Sequence, residues 1–497
     1  MQPLLLGVDV GTTATKAVLI DSQGKLVAQG RAEYPTLHLQ AGWVEQDANQ
    51  WWVSFCKATS QALAEAKGAK ISGVVISSQA PTLLAVDNLG DPVRNALIWM
   101  DRRAQVQADK LANQFPNIST LTGNRADPYY VAAKIMWLKE NEPENYAKTK
   151  YFLQIPGYLN FKLTGKFSLD AAHASLLQLR SADNKSWANQ VLEFTGIDQS
   201  KFPPIGQASD LLGEVVKESE SKIPLGTPIF FGTVDGCSAA VESGVIDPGV
   251  VAEMTGTSTV LIMPTDGNNF NDAFVAIDHA VADRQLRLGA MVAAGASVSW
   301  LISNILKDQF SMAQLTQKAE QVPPGSDGLI FLPYMMGERS PIWNTNARGV
   351  FFGLTLTTTP EMMFRAVLEG TAFALAHNVE IGLKSGIKIE EIRSIGGGSK
   401  SELWNQIKAD ILGLSIASLK DSSGAAVGDA YLAGLGSGNF SDIRSVINSA
   451  VQVENRFIPN PTAHQHYQER YLRFRSLYES LKDEFDKSAI SATFGGN

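Results

Sequence analysis

Cysteine is nearly missing from this chain. Cys56 and Cys237 stand far apart with no ligand rhythm around them, which argues against a disulfide framework and fits a reducing compartment. Basic charge is not in excess either. Against 42 Lys and Arg there are 50 Asp and Glu, a net charge of −8, so there is no cationic footprint for nucleic acid or an anionic bilayer. No run approaches the roughly 20 apolar residues that a membrane span needs. The opening MQPLLLGVDVG lacks the basic n-region and the apolar length of a signal peptide. The histidines, at His38, His173, His279, His377, His464 and His466, show no zinc-ligand spacing. These absences make a soluble cytoplasmic protein the expectation. Hydrophobic residues at 44% and charged residues at 19% suit a globular enzyme. A chain of 497 residues exceeds what one core holds, so two large domains are expected.

What is present begins with Leu4 to Ile20, LLLGVDVGTTATKAVLI. Two apolar runs, Leu4–Val8 and Lys16–Ile20, flank a turn of Asp9, Gly11, Thr12 and Thr13, which predicts a β-hairpin with a polar tip. Gly11 lets backbone approach a ligand closely, and the following amides and hydroxyls can donate to phosphate oxygens. Asp9 only accepts, so it would repel a bare phosphate and fits if Mg²⁺ lies between them. Taken alone, DVGTT suits an ordinary hairpin equally well. A second copy, Val250 to Met263, VVAEMTGTSTVLIM, repeats the pattern with Thr255, Gly256, Thr257 and Ser258 at its tip and no aspartate. Two such hairpins a domain apart suggest halves that each hold one side of a nucleotide, with only the first facing a metal.

Between and beyond them lie further candidates. The apolar run Ala96–Met100 ends in Asp101, Arg102 and Arg103; with Trp99 these could line a pocket, or Asp101 could cap a helix, and both can hold. Asp235 follows an apolar strand and sits among Gly232, Gly236, Ser238, Ala239 and Ala240. Its carboxylate could reach a bound hydroxyl, although a lone aspartate before a helix is also a common cap. The turn-rich Gly244–Gly249 marks a boundary, giving domains 1–246 and 247–460 and a last helix at 461–487. Pro333–Phe352 is a long loop dense in Gly, Pro and Asn. Gly396, Gly397, Gly398 and Ser399 end a strand and open a helix, where a flat ring could lie on backbone and a helix N-terminus could face phosphate.

In order, the phosphate hairpin, YVAAKIMWLKEN, the small-residue motif around Asp235, the second hairpin, GERSPIWNTNARGVFFGL and GGGSKSELWNQIKADILG resemble the FGGY family of sugar kinases over essentially the whole chain. The resemblance implies an α/β protein of two actin-like ATPase (ribonuclease H-like) domains with a catalytic cleft between them. It also implies that the helix after Pro461 returns to the first domain. ATP and Mg²⁺ would be the cofactors, with ATP on the second domain and the sugar deep in the first. Asp235 would be the catalytic base and, with Asp9, a metal ligand. Gly11, Thr12, Thr13, Lys16, Gly256, Thr257, Gly295, Ser299, Gly397, Gly398 and Ser399 would meet the nucleotide, and Gln79, Ala80, Pro81, Trp99, Asp101, Arg102 and Tyr129 the substrate. Gly295 serves helix–sheet packing equally well.

Two departures bear on substrate. Gly236 follows the base where the family usually has Asn or Gln, and Gln79-Ala80-Pro81-Thr82 replaces the Q-M-H-G usual in xylulose kinases. A ketopentose such as D-xylulose is the expected acceptor, with gluconate, ribulose or a polyol as alternatives. A non-metabolic actin-like or chaperone-like ATPase is the rival of another class. A small sugar and ATP are the expected partners, without nucleic acid or membrane, and a homodimer is compatible with this reading.

Overall fold

In a computed structural model that describes residues 3–494 apart from 67, 268 and 421–423, the first hairpin forms from Leu4–Val10 (β1) and Ala14–Ile20 (β2). Its antiparallel register sets Asp9 opposite Lys16. Leu26–Glu33 (β3) continues the sheet on one side, and Ile71–Ser78 (β4) pairs parallel with β1 on the other. With Leu211–Glu214 (β5) and Pro228–Phe230 (β6) the order is β5-β6-β4-β1-β2-β3, and Thr233–Val234 (β7) also pairs with β4.

Alternation along β1 separates two cores. Leu4, Leu6 and Val8 pack with helix Ala48–Glu65 (α1), while Leu5 packs with the other face's helices. Gly30 admits α1, because a Cβ there would stand 2.0 Å from the Ala58 carbonyl oxygen. Helix Asp235–Glu242 (α2) lies on the opposite face.

The second half repeats this plan. Gly249–Thr255 (β8) and Thr259–Thr265 (β9) form the second hairpin. With Val275–Asp278 (β10), Gln285–Met291 (β11), Ile389–Ile395 (β12), Ser415–Leu419 (β13) and Val453–Phe457 (β14), the order is β10-β11-β9-β8-β12-β13-β14. As β1 does with β4, β8 pairs parallel with β12. Helices Pro360–Lys384 (α3) and Glu402–Leu412 (α4) cover its core.

Two helices depart from the expected assignment. Ala425–Gly436 (α5) lies within the predicted second domain, yet it packs on β1, β4 and α2. A Cβ at Gly7 would meet the Ala426 oxygen at 1.9 Å, and one at Gly428 the Ser238 oxygen at 1.9 Å, so glycine lets both contacts close. The last helix, Pro461–Phe494 (α6), corrects the expectation that it returns to the first domain. It packs on α3, α4 and strand Ile330–Leu332. Tyr467, Phe474 and Tyr478 are buried there in one core with Phe373 and Tyr334. This aromatic stripe has its matching surface on the second domain.

Candidate active site

The site's floor is set by strand register. Asp9 pairs with Ser77 across β1 and β4, and Ser77 pairs with Thr233 across β4 and β7, so the three stand in one row at the carboxyl ends of parallel strands. Open α/β sheets bind ligands at such ends. Asp235 follows two residues later and opens α2, its Oδ1 accepting the Gly236 amide at 2.6 Å. Ser77 Oγ lies 3.5 Å from Asp9 Oδ1 and donates at 2.7 Å to Asp429, which α5 delivers from the far end of the sequence. Ser238 donates to the other Asp429 oxygen.

Carboxylates gathered this way discourage one another's ionisation. Burial, then the Asp235 charge, pushes the Asp9 carboxyl up to about 7, against Lys16 and Ser77. Burial pushes Asp235 up to about 6, opposed by the Gly236 amide and by His173. Burial lowers the Lys16 ammonium, while Asp9 and Glu242 hold it up. Sequence reasoning passed over His173, which is wholly buried, with Nδ1 at 2.7 Å from Asp170 and Nε2 at 3.3 Å from Ser78 Oγ. The available signal was local: an Asp and a His three apart on the short helix Ala171–Ser175, Asp170 capping it.

Of the expected sugar contacts, the structure gathers several around the hairpin tip. Trp99 Nε1 donates to Thr12 Oγ1 at 3.2 Å, and Tyr129 donates to the Ala80 carbonyl at 2.8 Å. Gln79 donates to Gln46 at 2.7 Å, and Gln46 in turn donates to the Thr12 carbonyl at 2.8 Å. Gly11 and Thr13 are tied down through their carbonyls by the hydroxyl and the amide of Tyr34. Pro81 is buried beside Gln79.

Asp101 is a correction. It is fully buried, with its carboxylate taken by the Val44 amide at 2.7 Å and by Arg103 at 2.8 Å, so it offers a sugar no free surface. Arg102 forms a bidentate pair with Asp127, at 2.5 and 3.1 Å. A different cation reaches the wall: Arg339, from the second domain, stands 5.4 Å from the Trp99 ring centroid.

On the other side of the second hairpin lies a cavity of about 780 Å³, within the range of small-molecule sites. Gly256, Gly295, Ser299, Gly397 and Gly398 line it together with Trp404 and Leu368. Gly295 also has its packing role, since a Cβ would meet the Gly256 oxygen at 2.2 Å. Thr257 offers its carbonyl to the Ala294 and Ala296 amides, which fixes the tip against helix Gly295–Trp300. Ser399 is turned out of this cavity; its Oγ donates to the Gly396 carbonyl at 2.7 Å, and it borders an adjoining cavity of about 570 Å³. Beneath the glycines, Lys408 pairs with Glu253 in the core, and burial pulls its ammonium down to about 7.

The geometry is therefore a carboxylate cluster at the strand ends, with Trp99 and Arg339 gathered near the first hairpin tip and Tyr129 within electrostatic reach of Asp235, and a glycine-lined cavity on the second domain. Residues 4–241 match the N-terminal domain of the FGGY family of carbohydrate kinases, and residues 251–437 match its C-terminal domain. The chain belongs to the FGGY family. It is 28% identical to the xylulose kinase of Bacillus subtilis (strain 168), over 96% of this chain and 97% of that one. Ligand-bound xylulose kinase from Lactobacillus acidophilus superposes with a TM-score of 0.92 at 27% identity, covering 98% of this chain and 99% of that one. Gluconate kinase from Lactobacillus acidophilus gives 0.92 at 27% identity, covering 98% and 100%. As an FGGY kinase the protein is a phosphotransferase on the two-domain actin-like fold, with a sugar and ATP as its substrates. Among the described residues, no helix is long and apolar enough to cross a membrane.

Proposed function

We propose that this FGGY kinase transfers the γ-phosphoryl group of Mg-ATP to a hydroxyl of a ketopentose, D-xylulose before D-ribulose, with Asp235 as the base. The observation that carries this is the buried Asp9–Asp235 pair at the first hairpin, with the glycine-lined cavity of the second domain as the place for a nucleotide. The adenosine would lie along Gly256, Gly295, Ser299 and Gly397–Gly398. The backbone amides of Gly11–Thr13 would grip the phosphates, with Lys16 beside them. Asp235 would take the proton of the attacking hydroxyl, and the rest is positioning and charge neutralisation.

The donor set fits a divalent cation, since two buried carboxylates, Asp9 raised further by the charge of Asp235, gain from a shared positive charge. Among the described residues no group of three or more His, Cys, Asp or Glu could hold a metal. Asp9 and Asp235 would therefore hold Mg²⁺ together with phosphate oxygens and water, as is usual for this ion. When bound it would neutralise the charge of the phosphates.

Ketopentose is placed ahead of gluconate because the first-domain cations Arg102 and Arg103 are already engaged by Asp127 and Asp101, while Arg339, over Trp99, keeps gluconate as the alternative. Ala80 and Pro81 remove a polar contact from the recess, which predicts a shallow preference among related ketoses at about 0.5–1.5 kcal/mol per lost hydrogen bond. The test is kcat/KM in a coupled ADP assay across D-xylulose, D-ribulose, D-gluconate and glycerol. Either ketopentose should lead. Gluconate or glycerol ahead of both by more than about tenfold, some 1.4 kcal/mol, would overturn the substrate.

A further inference from the structure

Resting on the kinase reading above, we infer that Arg339 is the specificity-determining donor of the sugar recess, reaching across the cleft to an acceptor-only oxygen of the substrate: a ketone carbonyl or a carboxylate. Its guanidinium lies over Trp99, whose indole N–H is bound to Thr12 at the phosphate hairpin. One residue of the second domain thus completes a wall otherwise built by the first. Among the described residues Arg339 has no ion pair of its own, whereas Arg94, Arg102, Arg103 and Arg365 are all paired with carboxylates.

Its backbone is held firmly. Glu338 is buried and accepts the Val292 amide at 2.7 Å and the Arg339 amide at 2.8 Å. Ser340 donates to the Ala290 carbonyl at 3.0 Å, and its own carbonyl accepts Asn378 at 3.2 Å. The same loop is clasped from the other direction, with first-domain Arg125 at 4.7 Å from the ring of Trp343. Arg339 also acts electrostatically on the Tyr129 hydroxyl, opposing the burial that raises it. Stacked on Trp99 and within electrostatic reach of Glu338, this partly buried guanidinium makes no side-chain hydrogen bond or ion pair among the described residues, so its five N–H donors are open to a ligand. Hydroxyls both donate and accept, so they can be met by many groups. A carbonyl or carboxylate oxygen only accepts, and a site that donates to it rejects an analogue lacking it.

The experiment compares wild type, Arg339→Ala and Arg339→Lys on D-xylulose, D-gluconate and xylitol, the last having five carbons but no carbonyl. In the alanine variant kcat/KM should fall about 10–100-fold on whichever of xylulose or gluconate the wild type prefers. Xylitol should change less than about threefold, and KM for ATP should stay within about twofold. Lysine should recover part of the loss, keeping the charge without the planar fork. A larger loss on xylulose assigns the contact to a ketone, and a larger loss on gluconate assigns it to a carboxylate. Equal losses on xylitol and the preferred sugar, or no loss at all, would overturn the inference while leaving the kinase reading intact. A wild type that transfers phosphate to none of them would overturn the inference together with the ketopentose substrate on which it rests.

Discussion

The two hairpins share a scaffold and differ in charge. Each has an antiparallel pair, a Gly-Thr tip and a parallel neighbour on the same side. In β1 the position two before the glycine is Asp9, paired with Ser77; in β8 it is Met254, paired with Ile395. Five residues after the glycine the first hairpin has Lys16 and the second Leu261. The repeated part supplies backbone donors, which suit phosphate wherever it lies. The unrepeated part supplies ionisable groups at the first tip, where the proposed chemistry needs them, and apolar side chains at the second. Met254 and Ile395 line the adjoining cavity beside Gly396 and Gly397.

This division can be broken from either end. The largest effect should come from Asp235→Asn, which keeps shape and removes the proton acceptor. Turnover on a saturating sugar should fall by about 10²–10⁴-fold with ATP affinity nearly kept, and near-normal turnover would refute the base. Next, Asp9→Ala should weaken use of Mg-ATP by one to two orders of magnitude with little change in sugar affinity, by calorimetry. Met254→Asp asks the converse question. A carboxylate placed at the second tip should raise KM for ATP about tenfold without altering the Mg²⁺ optimum; a shifted Mg²⁺ optimum would mean that either hairpin can take the metal.

A smaller effect concerns pH. With Asp235 at about 6, kcat/KM should fall tenfold per unit on the acid side of about pH 6, and Asp235→Asn should lose that limb. Stability carries the opposite sign. The Asp9 pKa is raised from 3.8 to about 7 on folding, so its contribution is full below pH 3.8 and is lost as pH rises through 7. Asp9→Asn should therefore raise the Tm of the metal-free protein at pH 8 by roughly 2–4 °C, about 1 kcal/mol, and by less at pH 5. A melting curve unchanged at both would deny the strain.

The hairpins and the glycine turn were legible in sequence because short contiguous motifs carry them. Asp235 was legible as a candidate, since small residues around a carboxylate need no distant partner. Asp101 misled because its partners include the Val44 amide, which β-pairing brings from another part of the chain. Arg339 lies within the long loop Pro333–Phe352, and its place over Trp99 depends on how two domains meet. Asp429 left no motif and His173 only its spacing from Asp170, and each gains meaning through Ser77 or Ser78 at the end of β4. The last helix shows an amphipathic pattern, but the pattern does not say which core its aromatic stripe will match.

The seating of α5 on β1 has a consequence for how the chain is made. Gly7 waits for Ala426, and Ser77 for Asp429, across most of the polypeptide. At about 5–20 residues per second, tens of seconds separate emergence of β4 from emergence of α5. Throughout that interval Leu5 and Val75 lack their final cover, and the apolar side of α2 joins them once it is made. The amino-terminal half is thus committed early but finished late, leaving a nascent-chain window in which an apolar sheet face is open to chaperones or to misassembly.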